Sequence, residues 1–238
     1  MFDVKHNYYF NIQKFSIINI NIKTMGLVIS GIAKGFSGNV GNLTFSQQED
    51  GKTTVRSRPG KSSKPPTIPQ LSARQDASVC SRFLKPVKGF LEIGFRLEAK
   101  YKGMNQHNAA ASFTRHWAIT GEYPDRRIDY SKVLFTKGEM PAVQNAKVSL
   151  DERGFSFTWD PEAHLDGTHF SDQVMLMAYF PELNKAVYMT AGAQRFRGND
   201  LLTLSGMKRG YVAEVYISFI QDNHKNISNS THLGQLNW

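Results

Sequence analysis

Residues 211–220 read YVAEVYISFI, with an apolar side chain at every odd-numbered position. An alternation of period two is typical of a β-strand with one face on a hydrophobic core. Gly210 precedes the stretch and Asp222-Asn223 follows it, and both are turn signals. The decamer therefore predicts a central strand of a sheet whose odd positions face the core.

Six more stretches of similar character surround this strand. Such a series of short strands, separated by turn residues within about 100 residues, is typical of an immunoglobulin-like or fibronectin type III-like sandwich. Trp159 is expected to fill the core. A disulfide-bonded immunoglobulin domain is excluded, since the chain has one cysteine. The seven predicted strands span residues 145–150, 154–160, 172–180, 185–190, 200–205, 211–220 and 227–236.

The front half begins with a glycine-rich stretch, residues 26–46. Helices rarely tolerate so many glycines, because each costs about 1 kcal/mol relative to alanine. Residues 42–46 and 53–57 predict a β-hairpin, with its turn at Asp50-Gly51. A basic linker with several prolines follows at residues 57–66.

Helices are predicted next. Thr67 and Gln70 form a capping-box pattern, which marks a helix start. Cys80 falls in an apolar helical stretch and is expected to be an unreactive core thiol. Further helices are predicted to about Tyr101 and over 105–118, and a strand over 128–136.

The predicted fold class is therefore α+β, mainly β. Residues 1–24, rich in Asn and Ile, are expected to be a non-native or disordered leader. Residues 25–66 form the glycine-rich hairpin and linker, and residues 67–137 form the helical region with its exit strand. Residues 138–238 form the sandwich, which we expect to fold alone as a monomer from residue 140 onward.

Charge is unevenly distributed along the chain. Residues 1–137 hold 21 basic and 9 acidic residues, a net +12, while residues 138–238 hold 8 and 11, a net −3. A basic surface suits nucleic acid or another anionic partner, and it also keeps a small domain soluble. The candidates for anion contact are Lys52, Arg56, Arg58, Lys61, Lys64 and Arg74.

The sequence Gly31-x-x-x-Gly35-Phe36-Ser37-Gly38-x-Val40-Gly41 resembles the opening of an uncharacterised bacterial family of unknown function, common in Bacteroidota. The resemblance continues through Pro65-x-Thr67-x-x-Gln70-x-x-x-Arg74 and closes near Ser228-Asn229-Ser230. The order of the front segments is also similar to prophage and phage-associated structural proteins. These resemblances imply a sandwich-like second half and an assembly role, and they imply no catalytic residue. The glycine-rich residues proposed for assembly are Gly31, Gly35, Phe36, Gly38 and Gly41.

Catalytic, cofactor and metal sites are not predicted. Ser37 lacks the second glycine of a nucleophile elbow, because residue 39 is Asn. His164, Asp166 and His169 lie close together in one loop, but their spacing matches no recognised metal site. No small-molecule substrate is indicated.

The leading functional hypothesis is a non-enzymatic structural or assembly protein that contacts a protein partner or a second copy. The alternative is a protein that binds nucleic acid or an anionic surface through residues 52–102. A hydrolase is the third and least favoured hypothesis. No stretch is long and apolar enough for a membrane span, and a cytoplasmic or virion-associated location is expected.

Overall fold

A computed structural model describes residues 25–48, 51–58, 60, 63–161 and 166–238. The chain divides into two compact units, the first ending at Pro65 and the second running from Pro66 to Trp238. The expected leader, residues 1–24, lies outside the described residues. Within the described ranges, no helix has the length and apolar character needed to cross a membrane.

The first unit is a four-stranded antiparallel sheet. Its strands are β1 (Met25–Val28), β2 (Gly38–Val40), β3 (Leu43–Gln47) and β4 (Thr53–Ser57), in the order β1-β4-β3-β2. The predicted hairpin is confirmed as the central pair, β3 and β4. The sequence did not indicate the two short edge strands.

Backbone conformation explains the glycines of this unit. Gly31, Gly35, Gly38 and Gly41 all have positive φ angles, from 56° at Gly41 to 114° at Gly38. Residues with a Cβ rarely adopt this region, so the glycines allow the tight turns between β1, β2 and β3.

The second unit begins with helices. They are α1 (Ile68–Leu84), a 3-10 turn (Lys85–Val87), α2 (Lys88–Gly94), α3 (Arg96–Lys102) and α4 (Gln106–Trp117). The predicted start of α1 is confirmed: the backbone N–H of Thr67 donates to Oε1 of Gln70 at 3.1 Å.

The prediction of a strand over residues 128–136 is wrong. Only Arg127–Ile128 (β6) is extended and paired, and its partner is Ile119–Thr120 (β5). A 3-10 turn follows at Tyr130–Lys132. The chain beyond it bonds to the side chains of a distant loop instead of forming a ladder, which the alternating pattern could not reveal.

Seven strands make up the rest of the second unit. They form a four-stranded antiparallel sheet in the order β10-β9-β12-β13 and a three-stranded one in the order β11-β8-β7. Each lies within a few residues of its predicted position. The strands are β7 (Lys147–Asp151), β8 (Gly154–Thr158), β9 (Gln173–Phe180), β10 (Lys185–Met189), β11 (Asn199–Thr203), β12 (Val212–Ile220) and β13 (Thr231–Asn237).

Two hydrophobic clusters share the four-stranded sheet. One contains side chains of both sheets, including Trp159, Val215 and Phe219. The other joins the opposite face of the four-stranded sheet to the helices, as in the ring contact of Phe83 with Tyr179 at 4.9 Å.

Strand β12 is therefore buried on both faces. The even positions, on which the sequence analysis made no prediction, include Tyr216 and Ser218, and these are buried too. The predicted boundary between residues 137 and 138 consequently does not separate two cores, because the helices and the sheet bury one another.

Candidate functional site

The first candidate site is the sheet of the first unit, which holds the residues proposed for assembly. The backbone N–H of Gly35 donates to Oγ1 of Thr53 at 2.8 Å, and this ties the glycine-rich turn to β4. The ring of Phe36 meets that of Phe45 edge-on, 6.1 Å between centroids. Phe45 and Thr53 lie at odd-numbered positions of β3 and β4, so the turn lies over one face of the sheet.

Strand register places most of the apolar strand side chains of the first unit on that same face, while Leu27 lies on the other. Phe45 pairs with Val55, Val40 pairs with Leu43, and each pair shares the face of Thr53. Thr53 is the one buried side chain among the described residues of this unit. Val40 and Leu43 remain 61% and 43% exposed. We call the set Val28, Val40, Leu43, Phe45 and Val55 the apolar face.

The opposite face of this sheet is mainly polar, although Leu27 of β1 pairs with Thr54, lies on this face and is 48% exposed. The face carries Thr44, Ser46, Thr54 and Arg56 at the alternate positions. Among the described strands, β1 and β2 lie at the ends of the sheet and each pairs on one side. Such edges present unpaired backbone groups to another chain.

The predicted anion-contact residues do not form one described cluster. Lys52, Arg56, Arg58 and Lys64 are exposed in the first unit, whereas Arg74 is exposed on α1 in the second. Lys61 lies outside the described residues.

A buried carboxylate that the sequence analysis did not select lies at one end of the four-stranded sheet. Glu214, on β12, is 1% exposed. Its Oε2 lies 2.7 Å from Nε2 of His232, and its Oε1 accepts a hydrogen bond of 2.8 Å from Nε2 of Gln235. The signal that could have found it is the single charged residue in YVAEVYISFI.

These side chains line a cleft of about 490 Å³ with residues 127–131. Burial, with a smaller contribution from Glu214, raises the pKa of Tyr130. The pKa of Tyr216 lies well above its ordinary value, mainly because of burial. Its neutral hydroxyl donates to the carbonyl oxygen of Tyr130 at 2.7 Å. The cleft is therefore lined jointly by β12, β13 and the segment of residues 127–131.

His169, one of the clustered histidines, contacts a buried ion pair through its backbone. Nε of Arg195 lies 3.3 Å from Oδ2 of Asp172, which also accepts from the backbone N–H of His169 at 2.8 Å. The guanidinium stacks over the Phe219 ring at 4.0 Å, and Nε1 of Trp159 donates to the carbonyl of Arg195 at 2.7 Å. Burial lowers the pKa of Arg195, although Asp172 opposes that change.

The backbone of His169 therefore has a structural role, because its N–H helps to hold the carboxylate of Asp172. His164 lies outside the described residues. Among the residues that are described, no group of three or more His, Cys, Asp or Glu side chains could hold a metal ion. The predicted core position of Cys80 is confirmed, and burial raises its pKa to about 11.

Strands β2 to β4 of the first unit, the helices and most of the remaining strands fall within one family match, and β1 precedes it. The profile of a family of unknown function, DUF6266, matches residues 35–234, so the chain belongs to that family. No curated protein matches the chain. Nor does any solved structure.

Proposed function

We propose that this protein is a structural or assembly protein whose first unit is its contact element. The observation that carries the proposal is the apolar face: in this four-stranded sheet Thr53 is the one buried side chain among those described, and Val40 and Leu43 are exposed. Small sheets need a packed hydrophobic face for stability in water. The second unit has two clusters of its own, and would serve as the body that presents the sheet.

We infer that the occupant of the apolar face is a second copy of the chain. Exposed apolar side chains on a sheet with two open edges support association through either the face or an edge. The resemblance to phage structural proteins supports an assembly of many copies, and a phage-associated role is part of this proposal.

We further infer that the second unit contains a fibronectin type III-like sandwich. The support is strand order. The first, second and fifth of its seven strands form one sheet, and the third, fourth, sixth and seventh form the other. A sandwich of this kind provides a rigid module with loops at its two ends.

The test compares Leu43→Thr with Leu150→Thr in the chain Met25–Trp238. Both leucines lie on strands and are exposed, by 43% and 53%. Sedimentation velocity over a concentration series, after nuclease treatment, should show self-association of the parent. Leu43→Thr should weaken it about tenfold, which corresponds to about 1.4 kcal/mol, while Leu150→Thr should leave it unchanged.

A shortened chain, Thr67–Trp238, provides the second arm. We expect it to stay monomeric at concentrations where the parent associates. A parent that is monomeric at every concentration, or a shortened chain that associates as strongly as the parent, would overturn the proposal.

A further inference from the structure

Exposed cations follow one another along α1, at the turn after it and at the start of α2. Arg74, Arg82, Lys85 and Lys88 are all exposed. With 3.6 residues per turn, the first three fall within an arc of about 80°. Arg74 and Lys85 are eleven residues apart, or about 16 Å along the axis. We call these four residues the cationic row.

Among the described residues, no acidic side chain forms an ion pair with the row, although Glu92 lies four residues after Lys88 on α2. Asp76 is the single acidic residue between Thr67 and Leu91, and its Oδ1 lies 3.1 Å from Nε of Arg126. By helical geometry, Asp76 lies about 200° around the axis from Arg74. In the described part of the chain, the ion pairs involve none of the four cations.

The shape of the row favours a linear polyanion. The side chains between the cations on this side of the helix are small and exposed, namely Ser78 and Ser81. They leave room for a strand to approach, and they offer no apolar group to insert into a membrane. Charges within one narrow arc suit the phosphates of one strand, whereas a duplex groove has phosphates on both flanks of an inserted helix.

Aromatic side chains lie in the same layer of helices. Trp117, on α4, is 60% exposed, and α4 packs directly against α1. Tyr101, on α3, is also exposed. Proteins hold single-stranded nucleic acids with exposed rings, on which bases stack, and with cations that meet the phosphates, and the helical region exposes both kinds of side chain.

We propose that the cationic row binds the phosphate backbone of single-stranded nucleic acid. This site lies within the second unit and does not depend on self-association through the first. It is distinct from the basic linker of residues 57–66. Of the candidates for anion contact that the sequence indicated, Arg74 alone belongs to the cationic row.

The experiment measures fluorescence anisotropy of a labelled 20-nucleotide oligo(dT) with the full chain, Met1–Trp238. One variant carries Arg74→Gln, Arg82→Gln, Lys85→Gln and Lys88→Gln. The matched control changes four exposed lysines of the sandwich to Gln, so the net charge falls equally; they are Lys147, Lys185, Lys208 and Lys225. A third variant changes the linker residues Arg56, Arg58, Lys61 and Lys64 to Ser. Circular dichroism and melting curves check that all variants are folded.

Four phosphate contacts predict a slope of about −2.8 in log affinity against log salt, or about 50-fold weaker binding at 200 mM than at 50 mM salt. The row variant should lose most of that slope and bind at least about tenfold more weakly at 50 mM salt, whereas the lysine control should match the parent. Equal loss in both charge-matched variants, a loss confined to the linker variant, or no binding by the parent would overturn the proposal. Tighter binding to a duplex of equal length, or binding to phosphatidylserine vesicles without binding to the oligonucleotide, would also overturn it.

Discussion

Oγ1 of Thr136 donates a hydrogen bond of 2.7 Å to the carbonyl oxygen of Ser228, across 92 residues of sequence. Two neighbouring contacts reinforce it. The backbone N–H of Phe135 donates to Oγ of Ser230 at 2.8 Å, and that of Gly138 donates to Oδ1 of Asn229 at 3.1 Å. Ser228-Asn229-Ser230 thus fastens the segment after the helices to the loop between β12 and β13, which gives this family-like motif a structural role.

Ser230→Ala should destabilise the second unit. The change leaves the buried N–H of Phe135 without its acceptor, at a cost of about 1–3 kcal/mol. For a unit of this size the melting temperature should fall by about 2–10 °C. Ser205→Ala, at an exposed loop position, is the control and should leave it nearly unchanged. Equal melting temperatures for the two variants would contradict the role of Ser230.

Replacement by alanine should lower the stability of the protein at one glycine of α2 and change it little at another. A Cβ on Gly94 would lie 2.2 Å from the carbonyl oxygen of Phe135, a backbone atom. Gly94→Ala should therefore cost about 1–3 kcal/mol through overpacking, despite the better helix propensity of alanine.

Gly89 is the matched control on the same helix. A Cβ there would meet the hydroxyl of Tyr188, the movable end of a side chain. Gly89→Ala should consequently stay within about 1 kcal/mol of the parent. Chemical denaturation of both variants makes the comparison, and a Gly94→Ala protein as stable as Gly89→Ala would refute the close approach.

A fragment of residues 140–238 should be less stable than Pro66–Trp238. Removing the helices would expose the face of the sheet that carries Tyr179 and Tyr216, whose ring lies 4.7 Å from that of Phe135. Such a large apolar surface promotes aggregation. Light scattering and melting curves of both fragments test this. A monomeric fragment as stable as the longer one would restore the independence expected from sequence.

Period-two alternation predicted the strands of the second unit well, because Ala213, Val215, Ile217 and Phe219 do face the core between the sheets. It could not show that the even positions are buried too. Glu214 and Ser218, at two of these positions, are polar. A local pattern records side-chain polarity, whereas burial there depends on helices more than 100 residues away and on the partners His232 and Gln235.

Glycine spacing located the first unit but not its shape. Gly38 and Gly41 signalled turns, and the register of β2 against β3 follows from the tight turn at Gly41 and Asn42. Of the residues proposed for assembly, Gly38 lies on β2 and the others lie between the strands, and their role in assembly stays a prediction. Helical periodicity likewise located α1. The sequence alone could not show that Asp76 pairs with Arg126 and not with a cation of the row.

Glu98 should contribute stability that acid removes. Desolvation alone would raise its pKa, but hydrogen bonds from Lys102 and Lys137 outweigh it, so the pKa of Glu98 lies below its ordinary value of 4.5. A carboxyl with a lowered folded-state pKa stabilises the fold above its unfolded-state pKa and loses that contribution as pH falls through the folded-state value.

Glu98→Gln should therefore lower the melting temperature at pH 7, and the difference from the parent should shrink below about pH 4. Glu92→Gln is the control, since Glu92 is exposed on α2. Melting curves from pH 3 to 7 give the measurement. A difference that stays constant with pH, or that equals the effect of Glu92→Gln, would show that the pairs with Lys102 and Lys137 contribute nothing measurable.

Cys80 should react slowly with a thiol reagent while the protein is folded. Burial raises the pKa of its thiol from 9.0 to about 11, with a smaller opposing effect of Arg115. At pH 8 the thiolate fraction falls by about a hundredfold, and the thiolate is the reactive form. Because the folded-state pKa is raised, this group stabilises the fold below pH 9 and loses that contribution as pH rises toward 11. Reaction with a disulfide reagent is followed spectrophotometrically at pH 8. It should be slow without denaturant and fast with denaturant. Cys80→Ser should give no signal in either case, and rapid labelling of the native protein would mean that this part of the helical core opens readily.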